Sequence, residues 1–183
     1  MLEIRVQGRG GQGAQLAGDV LAETFFEDGK WVQAFSSYGG AIRGTPVLTA
    51  IRVDDKPIRL RTNVGHPDVI VCFDPSLMGP ALLEGATENT VVLVNSTKPP
   101  EAFAHLGNYN FATIDAVAVA TKNGMGRIVN SAILGAFARV TGHPDIDVLA
   151  ATVERKSPVK KAQNVQSARD GYASVKMMRE HTA

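Results

Sequence analysis

The sequence predicts an α/β fold, a single three-layer domain over residues 1–183 with a mainly parallel sheet. Three observations predict it. A strand pattern runs directly into a glycine-rich turn and then into a helix pattern. Two short apolar runs, Val69 to Phe73 and Val91 to Val94, have the length and continuity of strands buried on both faces. Helical periodicity fills most of the chain beyond Asp115, and strands and helices follow one another in the order that layers helices over a sheet.

Leu2 to Gln7 alternates apolar and polar residues and reads as the first strand. Ala14 to Phe26 places Leu16, Ala17, Val20, Leu21, Thr24 and Phe25 at helical spacing, with Gly29 where a helix ends. Trp31 to Phe35 is the second strand, which completes a βαβ opening around the glycine turn. Ser36 to Pro46 is rich in glycine and small polar residues and reads as a loop. Val47 to Val53 is a strand, Asp54-Asp55-Lys56-Pro57 a turn by composition, and Ile58 to Leu60 its expected partner in a local antiparallel hairpin. Tyr109 to Ile114 is a further strand. Asp115 is placed to cap a helix over Ala116 to Lys122 that closes at Asn123-Gly124. Ile128 to Thr141, Asp145 to Glu154 and Val159 to Arg179 complete the helices.

At 183 residues the chain can bury a sizeable single core. Nineteen basic against eighteen acidic residues give a formal charge of +1, so no global field favours nucleic acid or an anionic membrane. No apolar run approaches the ~20 residues of a membrane span. Met1 to Val6 opens as a strand, without the basic-then-apolar design of a signal peptide, and a cytoplasmic protein is expected. Cys72 is the only cysteine, which excludes an internal disulfide, a cysteine-based zinc site and an iron–sulfur cluster housed in this chain.

The spacing Gly8-x-Gly10-x-x-Gly13, after a strand and before a helix, fits the glycine fingerprint of phosphate-binding turns. Glycines permit positive φ and let a phosphate approach the backbone. The helix that follows presents free N–H groups and the positive end of its dipole. Such turns also serve plain strand-to-helix packing. A nicotinamide site would further require an acidic residue ~20 positions on. The second strand ends instead at Phe35-Ser36-Ser37, which disfavours standard NAD binding but not another phosphorylated ligand. In a parallel sheet the second loop shares an edge with the first, so Arg43 could fork onto phosphate, with Ser36 and Ser37 donating hydroxyls. A solvated surface arginine and turn-capping serines are the alternative.

Gly8-Arg9-Gly10-Gly11-Gln12-Gly13, then Arg43-Gly44-Thr45-Pro46, then Arg52-Val53-Asp54-Asp55-Lys56-Pro57-Ile58 resembles the gamma subunit of pyruvate and related 2-oxoacid:ferredoxin oxidoreductases. The resemblance continues through Pro67 to Val71, Phe73-Asp74-Pro75, Arg127 to Phe137 and Asn164 to Tyr172, nearly the whole chain. It implies an enzyme that oxidatively decarboxylates a 2-oxoacid and delivers the acyl group to coenzyme A. It assigns thiamine diphosphate and magnesium to alpha and beta chains, and iron–sulfur clusters to a ferredoxin-like delta chain, in a two-fold hetero-oligomer. For this chain it implies a part in coenzyme A binding. Gly8, Arg9, Gly10, Gly11, Gln12 and Gly13 would cradle phosphate. Arg43 and Gly44, with Ser36 and Ser37, would contact phosphate or ribose, and Ile128 and Asn130 would lie beside adenine or ribose. Tyr38, Ala41 and Ile42 stand where single-chain members carry lysines, which leaves the 3′-phosphate mainly to Arg43. The small subunit of indolepyruvate enzymes has a similar glycine loop, and that branch stays open.

No catalytic residue emerges. His66, His105, His143 and His181 are not paired at metal-ligand spacing. There is no Gly-x-Ser-x-Gly elbow, Walker loop or His-Glu-x-x-His. The Gly-Asp-Gly…Asn-Asn pattern of a thiamine site and the cysteine run of a ferredoxin are both missing. An independent NAD(P)-type reductase and a purely structural assembly subunit are the competing classes. The isolated, metal-free chain is expected to show no 2-oxoacid-dependent reduction of a viologen dye; steady turnover by it would refute the division of labour.

Overall fold

The computed structural model describes residues 1–38 and 44–178. A seven-stranded sheet lies at its centre, in the order β2-β3-β1-β4-β5-β6-β7. Its strands are β1 (Leu2–Arg9), β2 (Trp31–Tyr38), β3 (Pro46–Asp54), β4 (Val69–Cys72), β5 (Val91–Asn95), β6 (Asn110–Ile114) and β7 (Lys176–Met177). β1, β4, β5 and β6 pair in parallel. β3 runs antiparallel to both β1 and β2, so β2 points the same way as β1 but lies two strands away. β7 pairs antiparallel with β6 at the far edge. The expected βαβ opening is therefore present, with β3 inserted between its two strands.

Helices are α1 (Ala14–Glu27), α2 (Pro80–Leu83), α3 (Ala116–Lys122), α4 (Asn130–Thr141), α5 (Ile146–Lys156) and α6 (Lys161–Ser174). One sheet face carries α1 and α4, backed by the other long helices; Ile4, Val6, Ile51, Val71, Leu93, Leu21, Phe25, Ile133, Phe137 and Leu149 share that core. The other face is covered only thinly. Leu82 and Leu83 of α2 and Phe103, in a 3-10 stretch over Pro100–Leu106, pack on Ile70, Cys72, Val92, Val94 and Phe111. Alternation along each strand sends successive side chains to opposite faces and separates the two cores. No helix among the described residues is long and apolar enough to cross a membrane.

Three sequence expectations are corrected. Ile58 to Leu60 does not pair with β3; it lies outside the ladder. Both edges of β3 are already taken by β1 and β2, so the antiparallel partner is β2. The segment after the turn is held by Arg52 instead. That side chain is 1 % exposed; it donates to Glu3 Oε1 at 2.7 Å, Gln33 Oε1 at 3.1 Å, the Thr62 carbonyl at 2.7 Å and the Asn63 carbonyl at 3.0 Å. The expected loop over Ser36 to Pro46 is shorter, because Ser36, Ser37 and Tyr38 extend β2 against Thr49, Leu48 and Val47. The last helix ends at Ser174 rather than continuing to Arg179, which lies outside the described residues. Val175 turns extended and hands the chain to the free edge of β6.

Two close approaches set the helix positions. Where α4 crosses α6, a Cβ on Gly135 would lie 1.8 Å from the Ala168 carbonyl oxygen, and one on Gly171 would lie 2.1 Å from that of Ala132. Where α1 lies on β3, a Cβ on Gly18 would lie 2.5 Å from Thr49 Cγ2. The backbone at the first crossing cannot give without moving a helix. Gly135→Ala is expected to cost about 1–3 kcal/mol through overpacking, against a helix-propensity gain of ~1 kcal/mol. Gly65→Ala, where the space is open, should stay within about 0.5 kcal/mol of the parent. Urea unfolding of the two variants checks this; equal midpoints would reject the tight crossing.

Candidate functional site

The parallel strands end on one edge of the sheet, and the chain reverses there between β1, which leads to α1 on one side, and β4 on the other. Ligands of open α/β sheets bind at such switch points. β1 runs into the glycine turn, which closes with the Gln12 N–H donating to the Arg9 carbonyl at 3.0 Å. Gly11 and Gly13 take φ of 91° and 86°, in the left-handed region where L side chains are strained.

The turn is braced on both sides. Gln12 accepts from the Arg9 N–H at 2.7 Å through Oε1 and donates to Asp74 Oδ2 at 2.8 Å through Nε2. Arg9 pairs with Asp74 at 3.2 Å and donates to Ser76 Oγ at 2.8 Å. Across the turn, the Gly10 N–H donates to the Thr45 carbonyl at 2.8 Å and the Gly44 N–H to the Gly10 carbonyl at 3.2 Å. The end of β4 and the start of β3 are thus tied to the same turn. Burial raises the Asp74 carboxyl, but hydrogen bonds from Ser76 and Gln12 and the charge of Arg9 outweigh it and hold the group below its ordinary value.

Two helices begin at this corner. A Cβ on Gly13 would lie 2.5 Å from Asn130 Oδ1, so the first residue of α4 sits against the turn that starts α1. Neither helix has a side-chain cap; Gly13 and Val129 occupy the cap positions. The leading N–H groups of both helices therefore have no intrahelical acceptor, and both dipoles bring positive potential to one place. The arrangement is suited to an anion held by backbone.

The sequence-derived residues divide into groups. Gly10, Gly11, Gly13, Gly44 and Asn130 come together here. Gly8 serves packing, since its Cβ would meet Ala14 Cβ at 2.9 Å and Phe73 Cβ at 3.0 Å. Arg9 and Gln12 are turned to Asp74 and brace the loop. Ile128 is 51 % exposed, two residues before α4. Ser36 and Ser37 are not drawn to the turn. They lie along β2, where Ser36 Oγ bonds Thr49 Oγ1 at 2.9 Å and Ser37 lines a cavity on the thinly covered face. Arg43 lies outside the described residues. Asp74 and Asn95 were missed as site residues. Asn95 donates to the Phe73 carbonyl at 3.2 Å and accepts from the Ala116 N–H at 3.1 Å, which joins the ends of β4 and β5 to the start of α3. The Asp74-Pro75 sequence is the signal that could have found Asp74, since an aspartate before proline often caps a turn; here it accepts from the Ser76 N–H at 3.0 Å.

Cys72 is buried, donates to the Asp74 carbonyl at 3.0 Å, and is pushed up to about 12 by burial, so it stays a thiol. No group of three or more His, Cys, Asp or Glu among the described residues is arranged to hold a metal ion.

The family model described as pyruvate ferredoxin/flavodoxin oxidoreductase matches residues 3–174. The chain is 42 % identical to pyruvate synthase subunit PorC of Methanothermobacter marburgensis over 96 % of its own length and 98 % of the relative's. It is 40 % identical to the common gamma subunit of the pyruvate/ketoisovalerate oxidoreductases of Pyrococcus abyssi, over 94 % and 96 %. The crystal structure of pyruvate oxidoreductase subunit PORC from Thermotoga maritima superposes with a TM-score of 0.87 at 36 % identity, covering 97 % of this chain and 98 % of that one. The 2-oxoglutarate:ferredoxin oxidoreductase of Magnetococcus marinus, solved with 2-oxoglutarate, coenzyme A and succinyl-CoA, shares the fold at 20 % identity and a TM-score of 0.74 over 30 % of its chain.

The brace on the turn has a pH signature. Because the Asp74 carboxyl is lowered in the folded chain, its contribution is complete above the unfolded value near ~4 and is lost as pH falls through the lower folded value. Asp74→Asn should cost about 1–3 kcal/mol at pH 7. The gap to the parent should narrow steadily below about pH 4. Urea titrations at pH 7, 5 and 3 check this; a gap that does not change with pH would deny the carboxylate its role.

Proposed function

This chain belongs to the pyruvate ferredoxin/flavodoxin oxidoreductase family, and from that premise we propose that it serves as the gamma subunit of a multi-subunit 2-oxoacid oxidoreductase whose glycine-turn edge seats the phosphate-bearing part of coenzyme A. The observation that carries the reading is the corner itself, where α1 and α4 start uncapped against each other at Gly13 and Asn130.

A pyrophosphate is a compact dianion, and the corner offers what it needs. Gly11 and Gly13 turn the backbone through the left-handed region, and the first turn of α1 supplies N–H donors. The Asn130 amide stands at the rim for a ribose or base edge, and Ile128 offers an apolar surface for the adenine. Gly44 brings the start of β3 to the same place. Arg43, in the segment outside the described residues, is assigned the 3′-phosphate on the resemblance of its sequence context. Ser36 and Ser37 are left out of the contact set.

Coenzyme A supplies the thiol that takes up the acyl group. The residues of this chain bind and orient the nucleotide end. Arg9, Gln12, Asp74 and Ser76 hold the turn in shape before the ligand arrives, so little ordering remains at binding. Thiamine diphosphate, magnesium and the iron–sulfur clusters are assigned to partner alpha, beta and delta chains of a two-fold assembly.

Calorimetry on the assembled enzyme tests this with coenzyme A and its dephospho form. Gly11→Ala puts a methyl at a left-handed position of the turn and should weaken both ligands about tenfold, the effect of ~1.4 kcal/mol. Arg43→Ala should erase the preference for the phosphorylated form, a loss of about 1–3 kcal/mol. Unchanged affinity in an assembled Gly11→Ala enzyme would place the pyrophosphate elsewhere.

A further inference from the structure

The thinly covered sheet face holds a second charged feature that the glycine edge does not use. On β1, β3 and β2, the side chains of Arg5, Ala50 and Phe35 stand in one cross-strand row, with Leu48 and Ser37 in the next. These five line a cavity of about 330 Å³ together with Asn63, Val64, Gly65 and Glu84. Its floor is apolar, and its charged groups are Arg5 and Glu84.

Arg5 is 7 % exposed and poorly partnered. Nη2 donates to the Glu84 carbonyl, and Nε is buried with no hydrogen-bond partner. No ion pair to Arg5 occurs among the described residues; the Glu84 side chain is exposed, and it shares the cavity wall without pairing. Nη1 makes no hydrogen bond within the described chain, and the Arg5 side chain lines the cavity. Burial lowers the Arg5 pKa and the nearby Glu84 charge only partly counters this. Arg52, on the same face, shows the contrast: it is more deeply buried, at 1 % exposed, and meets one carboxylate and three further oxygens. A buried cation without a counter-ion is costly, whereas one completed by a carboxylate in good geometry is tolerated.

We propose that this open half-face seats a neighbouring subunit of the same oxidoreductase, which inserts a carboxylate side chain onto Arg5. The charge of the site selects the anion. Phe35, Leu48, Ala50 and Val64 select an apolar shoulder beside it, and aromatic residues and arginine are the types enriched at interfaces. The inference rests on reading the chain as a subunit, and it concerns a face other than the glycine edge.

The experiment compares enzyme assembled on the tagged parent chain with that on Arg5→Met and Asn63→Asp. Removing an unpaired buried charge should leave the isolated Arg5→Met chain melting at or above the parent temperature. The same change should weaken assembly roughly a hundredfold or more, because the partner's carboxylate loses its cation. Asn63→Asp adds a negative charge on the cavity wall, from a side chain that is exposed and braces nothing, and should also weaken assembly with the fold intact. Deuterium exchange should slow at residues 48–50 and 63–65 when the holoenzyme replaces the isolated chain. Assembly of Arg5→Met at parental affinity would overturn the proposal while leaving the coenzyme reading untouched, since coenzyme A binding is measured at the unaltered glycine edge. A lower melting temperature of isolated Arg5→Met would assign Arg5 to internal structure and overturn it too. So would a rise in the parent's melting temperature, absent in Arg5→Met, with millimolar acetate or glutarate, which would make a small acid the occupant.

Discussion

β1 is paired along both edges, and the rest of the molecule is arranged around that fact. Eight residues bond antiparallel to β3 and four bond parallel to β4. A strand held on both sides delivers its last residues to a fixed point, and the turn from Arg9 to Gly13 is built there. The neighbours arrive at the same point from opposite directions. β4 ends beside it and supplies Asp74 and Ser76, while β3 begins beside it and supplies Gly44 and Thr45. The corner is therefore a product of sheet order before it is a product of glycine content.

The same order separates this site from a dinucleotide site. With β3 inserted, the end of β2 lies two strand spacings from β1, roughly 9–10 Å, and not one. An acidic residue at the end of β2 could not reach a ribose whose pyrophosphate sits on α1 in the usual way. The sequence shows no such residue, and the topology removes the reason for having one. The close helix–strand packing that the third glycine provides in dinucleotide folds falls here to Gly18 against Thr49.

Most of the architecture was legible because it is written in local chemistry. Apolar runs of strand length gave β4 and β5, and Asp115 and Asp145 cap α3 and α5 through their own carboxylates. The failures came where partners distant in sequence decide. Ile58 to Leu60 has strand-like residues, but no free edge of β3 remains to receive it. β7 is two residues long and exists because β6 has an open edge. Ser36 and Ser37 have loop composition, yet the ladder with β3 continues through them. At the site, composition located the glycines and could not sort them. Gly8, spaced by Ala14 and Phe73, looks the same in sequence as Gly11, which turns the backbone. Asp74 was hidden because its importance lies in a bond to a side chain 62 residues away.

The placement of charge at the corner has a consequence for recognition. Arg9 is the cation nearest the turn by sequence, and it is paired with Asp74, so the bracing network adds almost no net charge where the anion would lie. Attraction there falls to backbone N–H groups and two helix dipoles. Such groups would hold any pyrophosphate equally well and could not tell one nucleotide from another. On the proposed reading, discrimination would fall to side chains beside the turn, Asn130 at the start of α4 and the exposed Ile128 before it. Under the proposal, this division of labour would keep the braced turn rigid and leave selectivity to side chains outside the bracing network of Arg9, Gln12, Asp74 and Ser76.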